Sequence, residues 1–419
     1  MQTSIHLSPC QQKAYDLLEK SADNVFLTGS AGTGKSFLVR KFLKDRDRKT
    51  FPIVASTGVA AILVGGRTFH SFFGLGIMEG GLERTIEKAL NDRRVVKRLR
   101  GINGFILDEV SMISGPALSA AEAICRMARG KKMPWGGARV IAVGDFSQLP
   151  PVSRTSEERP WAFLDDVWQQ SDFKPAVLKT ILRTQDEDFV RILNFVRHGV
   201  VNDEVRDYLS RKVDANVEDA RATHLFATRH MTDRYNARCL AEIDSPLRDF
   251  VTEYAGNQRS VEQLKKSAPI PEVLKIKKSA RVMIRINDPG YKFVNGTVGV
   301  IEEISPEVLL VRLDKGGMVE LNKETFALLS PEGNEIATAT NFPVNLAYAM
   351  TIHKSQGVTL ERIVADLRGL WEPGQAYVGL SRLKSGDGLS LMGWDEASIR
   401  SDPTVRNFHE SLFNLDPAV

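Results

Sequence analysis

The densest chemistry in the chain lies at Gly29-Ser30-Ala31-Gly32-Thr33-Gly34-Lys35-Ser36. Glycines at this spacing let successive backbone N–H groups curl around phosphate oxygens. Lys35 supplies a cation for the β- and γ-phosphates, and the Ser36 hydroxyl suits Mg2+. An ordinary glycine-rich turn is the plain alternative, but the flanks argue against it. The apolar run Val25-Phe26-Leu27 reads as a buried strand, and Leu38/Phe42 and Val39/Leu43 fall at helical steps of four. A helix there would turn its positive end toward the same phosphates. The implied cofactors are ATP and Mg2+.

Asp108-Glu109 closes a second apolar run, Phe105-Ile106-Leu107. Asp108 is placed to hold Mg2+ and Glu109 to activate water, unless the pair merely caps a helix. Gly144-Asp145-Phe146-Ser147-Gln148 ends a third run, where the Gln148 amide can sense the γ-phosphate while Asp145 orders the loop. Phosphoryl transfer works through positioning and charge neutralisation, so it wants arginines beyond the loop. Arg183, in Ile-Leu-Arg-Thr-Gln, and Arg382, in Val-Gly-Leu-Ser-Arg, are candidates from a far domain. Taken alone, either one is more often a surface ion pair than a catalytic group.

Strands ending in polar clusters, alternating with helical stretches, predict a parallel sheet with function gathered at its carboxyl edge. A second such pattern starts at His224–Arg229, breaks off, and resumes at Arg362–Leu367 and Leu389–Trp394. Between about Ser279 and Leu321 the period changes to two, with Asn295-Gly296 and Gly316-Gly317 turns, which predicts a small antiparallel barrel. Gly74 to Arg100 reads as a helical excursion. The expected domains are 1–180, with an insertion at about 73–100, and 181–419, with an insertion at about 245–343.

Composition sets the outer limits. At 419 residues with 42% hydrophobic and 26% charged residues, the chain is long enough for several cores and is neither disordered nor coiled coil. A net charge of +4 is too small to point to nucleic acid, so such evidence must be local. Cys10, Cys125 and Cys239 are widely spaced and form no metal-ligand pattern, which fits a reducing compartment. The apolar runs are too short to span a membrane, and the start lacks the apolar core of a signal peptide, so a soluble intracellular protein is expected.

In order and spacing these motifs resemble the superfamily 1 helicases, and within them the PIF-one (petite integration frequency) family. The likeness runs from Leu7–Ala14, with Gln11 as an adenine-reading glutamine, through the Gly29–Ser36 loop, Leu107–Met112 and Gly144–Val152. It continues through Leu225–Arg229, Ala349–Leu367 and Gln375–Leu389. The resemblance implies an α/β fold of two RecA-like domains, with a small helical insertion in the first and an SH3-like barrel in the second. It implies ATP-driven 5′ to 3′ movement on single-stranded DNA with duplex opening ahead.

Residue by residue, it implies nucleotide contacts from Gln11, Gly29, Ala31, Gly32, Thr33, Gly34, Lys35, Ser36, Gln356 and Gly357, and metal contacts from Ser36 and Asp108. It implies catalytic roles for Lys35, Glu109, Gln148, Arg183 and Arg382. The family places glutamine directly after the first arginine, whereas this chain reads Arg183-Thr184-Gln185.

A translocase grips phosphates loosely and stacks a few bases. Thr57, Gly58, Phe69, His70, Phe72, Thr228, Arg229, Lys292, Asn295, Thr297, Thr351, His353 and Lys354 fall on the expected DNA track, largely through the resemblance. Phe69, Phe72 and Phe73 are so close together that at least one belongs to a core, and one stacking platform is expected among them. Arg93, Arg94, Lys97, Arg98 and Arg100 read either as a phosphate patch or as a solvated helix face. The expected partners are single-stranded DNA and single-strand/duplex junctions, without a membrane, and the isolated chain is expected to be monomeric. A DNA-stimulated translocase, or a nucleotide-gated DNA-binding protein that separates no strands, would share the same motifs.

Overall fold

The computed structural model describes residues 6–76, 78, 81–151, 159–214, 219, 221–288, 290, 292–329 and 334–414. The chain divides into two compact units. One runs up to Arg183 and includes Pro403–Asn414; the other holds Thr184–Leu328 and Glu335–Asp402.

The apolar runs of the first unit become β1 (Val25–Gly29), β2 (Ile53–Ala55), β3 (Arg67–Thr68), β4 (Gly104–Asp108), β5 (Arg139–Gly144) and β6 (Lys174–Leu178). They lie in the order β3-β2-β4-β5-β1-β6 and pair in parallel throughout. Because a strand alternates its faces, Phe26, Phe105, Leu107, Val140 and Ala142 enter one core while Val25, Leu27, Ile106, Ile141 and Val143 enter the other. Helices cover both faces, which explains runs that are apolar at every position. α1 (Pro9–Lys20) and α2 (Lys35–Leu43) cover the second core with Leu18, Leu38 and Phe42. Register sets Ala55 opposite Asp108 and Thr28 opposite Gly144, so the polar strand ends emerge along one edge.

The helical excursion consists of Gly81–Asn91 and Arg93–Gly101, which bury Ala89, Val95 and Leu99 in the first core. Helix Pro403–Asn414 corrects the expected boundary, which gave it to the second domain. Its Val405 and Leu412 enter the first unit's core, and Phe408 stacks on Phe163 with ring centroids 4.2 Å apart and planes 12° apart.

The second unit contains, in chain order, β7 (Thr223–Phe226), β8 (Arg248–Val251), β9 (Glu253–Gly256), β10 (Val273–Ile276), β11 (Arg281–Ile284), β12 (Val298–Ile304), β13 (Val308–Leu313), β14 (Met318–Asn322), β15 (Glu324–Leu329), β16 (Glu335–Asn341), β17 (Val344–Leu346), β18 (Ala349–Thr351), β19 (Ile363–Leu367) and β20 (Leu389–Trp394). A parallel sheet, β18-β7-β19-β20, forms its α/β part. The period-two stretch forms the antiparallel sheet β14-β13-β12-β11-β17 around Val282, Ile284, Ile301, Leu309 and Val311. A bulge between Ile301 and Glu303 bends β12, as curvature of so small a sheet requires.

His224 on β7 is buried, with its ring 4.2 Å from that of Tyr235 and Nε2 3.0 Å from the Tyr235 hydroxyl. Burial pulls its imidazole down to about 4. The ring is therefore neutral in the native state, and its proton uptake in the unfolded chain begins near about 6.5. Stability should fall as pH drops from about 6.5 toward 4, by on the order of 2 kcal/mol from this group. Urea midpoints measured across that range should decline less steeply for His224→Gln than for the parent; identical slopes would reject the assignment.

Candidate active site

The phosphate-type loop joins β1 to α2, and its backbone is shaped by what packs against it. Gly32 has φ +83°, and a Cβ there would sit 2.6 Å from Cβ of Arg183; at Gly34, with φ +93°, a Cβ would collide with the Gln11 amide. Only glycine suits both positions. The Gln11 side chain, 1% exposed, donates from Nε2 to the Thr33 carbonyl at 3.0 Å, and its Oε1 accepts from Ser8 N at 3.1 Å. Gln11 thus ties the cap of α1 to the loop. One amide N–H and one lone pair remain for a base.

Thr33 Oγ1 donates to Ser30 O at 2.9 Å, and Leu182 N donates to Gly32 O at 2.9 Å. Lys35 Nζ donates to the carbonyls of Gly29 (2.7 Å) and Ser30 (3.1 Å), which holds the ammonium over the loop that would cradle phosphates. Ala31 sits at the loop's crest, and Ser36 is in the first turn of α2.

β4 and β1 flank β5 and deliver Asp108, Glu109 and the Gly144–Gln148 loop beside this site. Burial, and after it the charge of Glu109, push the Asp108 carboxyl upward, while Lys35 pulls it down. Asp108 Oδ1 accepts from Glu109 N at 3.0 Å. Glu109 has φ +54° and ψ 49°, a left-handed conformation that costs a side-chain-bearing residue about 1–3 kcal/mol and persists only where its surroundings enforce it. Val110 supplies one constraint, since its N lies 3.1 Å from where a Cβ of Gly144 would be. Gln148 is buried and donates its N–H to Asp145 O at 3.0 Å, and Asp145 Oδ1 accepts from Ser147 N at 3.1 Å.

Among the described residues no group of three or more His, Cys, Asp or Glu side chains is placed to hold a metal ion by itself. A cation here would therefore draw on one hydroxyl, one carboxylate, phosphate and water. That all-oxygen set, with few protein ligands, fits Mg2+.

The two arginines part company. Arg183 belongs to the first unit and packs on Gly32, so its expected origin in a far domain is corrected. The close fit to Gly32 decides its allegiance. Arg382, 2% exposed, lies in the second unit, where Nε donates to Val378 O (2.8 Å), a terminal nitrogen to Ser381 Oγ (2.8 Å) and the other to Ser355 O (3.3 Å). It braces the loop carrying Gln356 and Gly357, which follow the 3-10 turn His353–Ser355.

On the expected DNA track, three threonines cap helices that follow parallel strands. Thr57 accepts from Ala60 N, Thr68 from Ser71 N and Thr228 from Met231 N. Gly58 opens the helix after Thr57, and Arg229 the helix after Thr228. Thr351 Oγ1 accepts from Lys354 N at 3.2 Å, and Thr297 Oγ1 from Val294 N at 3.0 Å. Lys292 and Asn295 are in the turn before β12. Burial lowers the imidazoles of both His70 and His353, which favours neutral rings over cations.

Phe69 and Phe72 are corrected. With Phe73 they lie at 0–1% exposure, packed edge-on and tilted around Phe105 and Trp135, and offer no face to a base. The basic run is corrected in part. Arg98 lies over the Phe72 ring and donates to its carbonyl, Arg100 Nε donates to Ala128 O at 2.7 Å, and Arg94 pairs with Asp92.

Residues 6–207 match the family model described as PIF1-like helicase. Over 411 residues the chain is 50% identical to the ATP-dependent DNA helicase Pif1 of Bdellovibrio bacteriovorus, covering 98% of this chain and 93% of that one. The chain belongs to the PIF1-like helicase family. It is 33% identical to the ATP-dependent DNA helicase PIF1 of Xenopus laevis over 94% of its own length and 62% of that longer protein. Among solved structures it is similar to the Pif1 helicase of Candida albicans (TM-score 0.79, 31% identity, 97% of this chain and 100% of that one). It is also similar to Bacteroides sp Pif1 in complex with ADP-AlF4 (TM-score 0.85, 27% identity, 98% of both chains). The two RecA-like domains and the barrel expected from the motifs are the architecture of this PIF1-like chain.

Leu182 of the PIF1-like chain holds Gly32 through its backbone N–H, a role that no side-chain chemistry marks in the sequence. Gly32→Ala should lower affinity for a fluorescent ATP analogue at least tenfold, because the new methyl group must displace Arg183. Melting temperature should change little, and an affinity within threefold of the parent would show that the loop adapts.

Proposed function

We propose that this chain is an ATP-dependent DNA helicase that moves 5′ to 3′ along single-stranded DNA and opens duplex ahead of it. The observation that carries this reading is the convergence of the Gly29–Ser36 loop, Asp108-Glu109 and Gln148 at adjacent strand ends of one parallel sheet. Likeness over 94–98% of this chain to relatives named as ATP-dependent DNA helicases supports the substrate class.

The loop's N–H groups and Lys35 bind the triphosphate. Ser36 and Asp108 would hold Mg2+, which would supply charge neutralisation at the phosphates. Glu109 accepts a proton from the attacking water, and its enforced backbone turn fixes the carboxylate's point of departure. Gln148 reads the γ-phosphate. Arg183, held against Gly32, adds charge beside the loop, and Arg382 passes nucleotide state to the Gln356-Gly357 loop by way of Ser355.

On the DNA side, hydroxyls and backbone at Thr57, Gly58, Thr228 and Thr351 and the cations Arg229 and Lys354 follow the strand. Neutral His70 and His353 contact it by hydrogen bonding or stacking. Among related solved structures, Bacteroides Pif1 is bound to single-stranded DNA, and two coordinating Pif1 helicases act at forked duplex DNA. We take the isolated chain to be a monomer that can meet a second copy on DNA. Opening one base-pair step costs about 1.4 kcal/mol in stacking, within reach of a nucleotide-driven change of grip.

A labelled duplex carrying a 5′ or a 3′ single-stranded tail tests activity and polarity together. Opening with ATP from the 5′ tail alone is expected, and equal opening from both tails would reject the polarity. ATPase stimulated by DNA without strand separation would instead leave a translocase. Glu109→Gln should keep ATP and DNA binding while turnover falls at least a hundredfold, and near-parental turnover would assign water activation elsewhere.

A further inference from the structure

Arg285, directly after β11, is 7% exposed, yet among the described residues its guanidinium meets no oxygen acceptor. Nε is buried without a partner, and the side chain's polar contact is from a terminal nitrogen to Met283 Sδ at 3.6 Å. Other buried arginines of the same unit are treated differently. Arg281, whose Nε also lacks a partner, is fork-bonded to the Asp314 carboxylate, and Arg382 donates to two carbonyls and a hydroxyl. A buried cation without a counter-charge is among the costlier arrangements a fold can keep.

The neighbourhood makes that cost larger. Lys354, on the surface, feels that charge: its ammonium is held below its usual range by desolvation and by the charges of Arg229 and Arg285, with Asp233 opposing. Asp233 itself pairs with Arg229 at 3.3 Å. Next to Arg285, Gly296 N donates to Ile284 O at 2.8 Å, which brings in the turn that carries Asn295. The Asn295 Oδ1 is also buried without a partner. Turned by half a rotation, that carboxamide offers N–H groups to an anion. Gly296 also packs on Val358, so the barrel turn and the loop following Lys354 close on one spot.

We propose that Arg285 is the floor of an anion pocket, rimmed by Lys354 and Arg229, that receives one phosphodiester group of the DNA strand. The proposal rests on the DNA-helicase reading above and deepens it. The guanidinium fork matches phosphate geometry. A contact made below the surface is also less screened by salt than one made by exposed lysines.

The test compares the full chain with Arg285→Met, which keeps length and apolar volume while removing charge. Binding to a labelled oligothymidylate is measured by anisotropy at several salt concentrations, and melting temperature is measured without DNA. Arg285→Met should bind about tenfold more weakly, and its salt slope should be smaller by about 0.7, the value for one phosphate contact on a single strand. Its melting temperature should be equal or higher, because an uncompensated buried charge is gone. Unchanged DNA affinity overturns the pocket, as does a drop in melting temperature that accompanies the weaker binding, which would make Arg285 structural. Inorganic phosphate protecting the parent but not Arg285→Met at micromolar concentration would assign the pocket to free phosphate and overturn the proposal. A parent that fails to bind oligothymidylate sinks the helicase reading and the pocket together.

Discussion

The close approach of side chains to the backbone of the Gly29–Ser36 loop is the constraint on which the first unit turns. Gln11 from α1 and Arg183 from the segment after β6 press on Gly34 and Gly32 where a methyl group would already collide. The glycines therefore do more than admit unusual torsions, because they let two remote stretches of chain clamp the loop from outside. With Leu182 N on Gly32 O and Gln11 Nε2 on Thr33 O, the loop's N–H groups are fixed before any ligand arrives. Preorganised donors lose little on binding, which is why such a loop suits tight phosphate recognition.

The molecule keeps unfavourable electrostatics in two places. Asp108 is a half-buried carboxyl next to another acid, and Arg285 is a buried guanidinium within the field of another cation. Each would be relieved by a ligand of opposite sign, a cation at the first and a phosphate at the second. Local stability is surrendered where binding will restore it. The left-handed backbone at Glu109 belongs to the same class of stored cost.

Much of this was legible in the sequence, because strand-end motifs are local. The runs before Gly29, after Asn103 and before Asp145 carry both their period and their polar terminator, so sheet, edge and loop chemistry could be read together. What failed depended on packing. Phe69, Phe72 and Phe73 are spaced like a platform, but all three are buried, and a five-residue helix is too short for a periodicity that would reveal it. Arg183 lies at a boundary that only its fit to Gly32 resolves. The basic run from Arg93 to Arg100 looks solvated until Arg98 and Arg100 are seen bonding to carbonyls of other segments. Arg285 was invisible because its distinguishing property is a missing partner, and sequence cannot display that.

Helix Pro403–Asn414 completes the first unit after the second has been threaded in between, with covalent junctions at Arg183-Thr184 and Asp402-Pro403. On the ribosome, the aromatic surface around Phe26, Phe146, Phe163 and Trp168 thus waits for Phe408 until more than two hundred intervening residues have emerged. The amino-terminal lobe cannot finish folding in the order in which it is made. Nascent chains would expose that sticky patch throughout elongation, a period in which chaperone capture competes with aggregation.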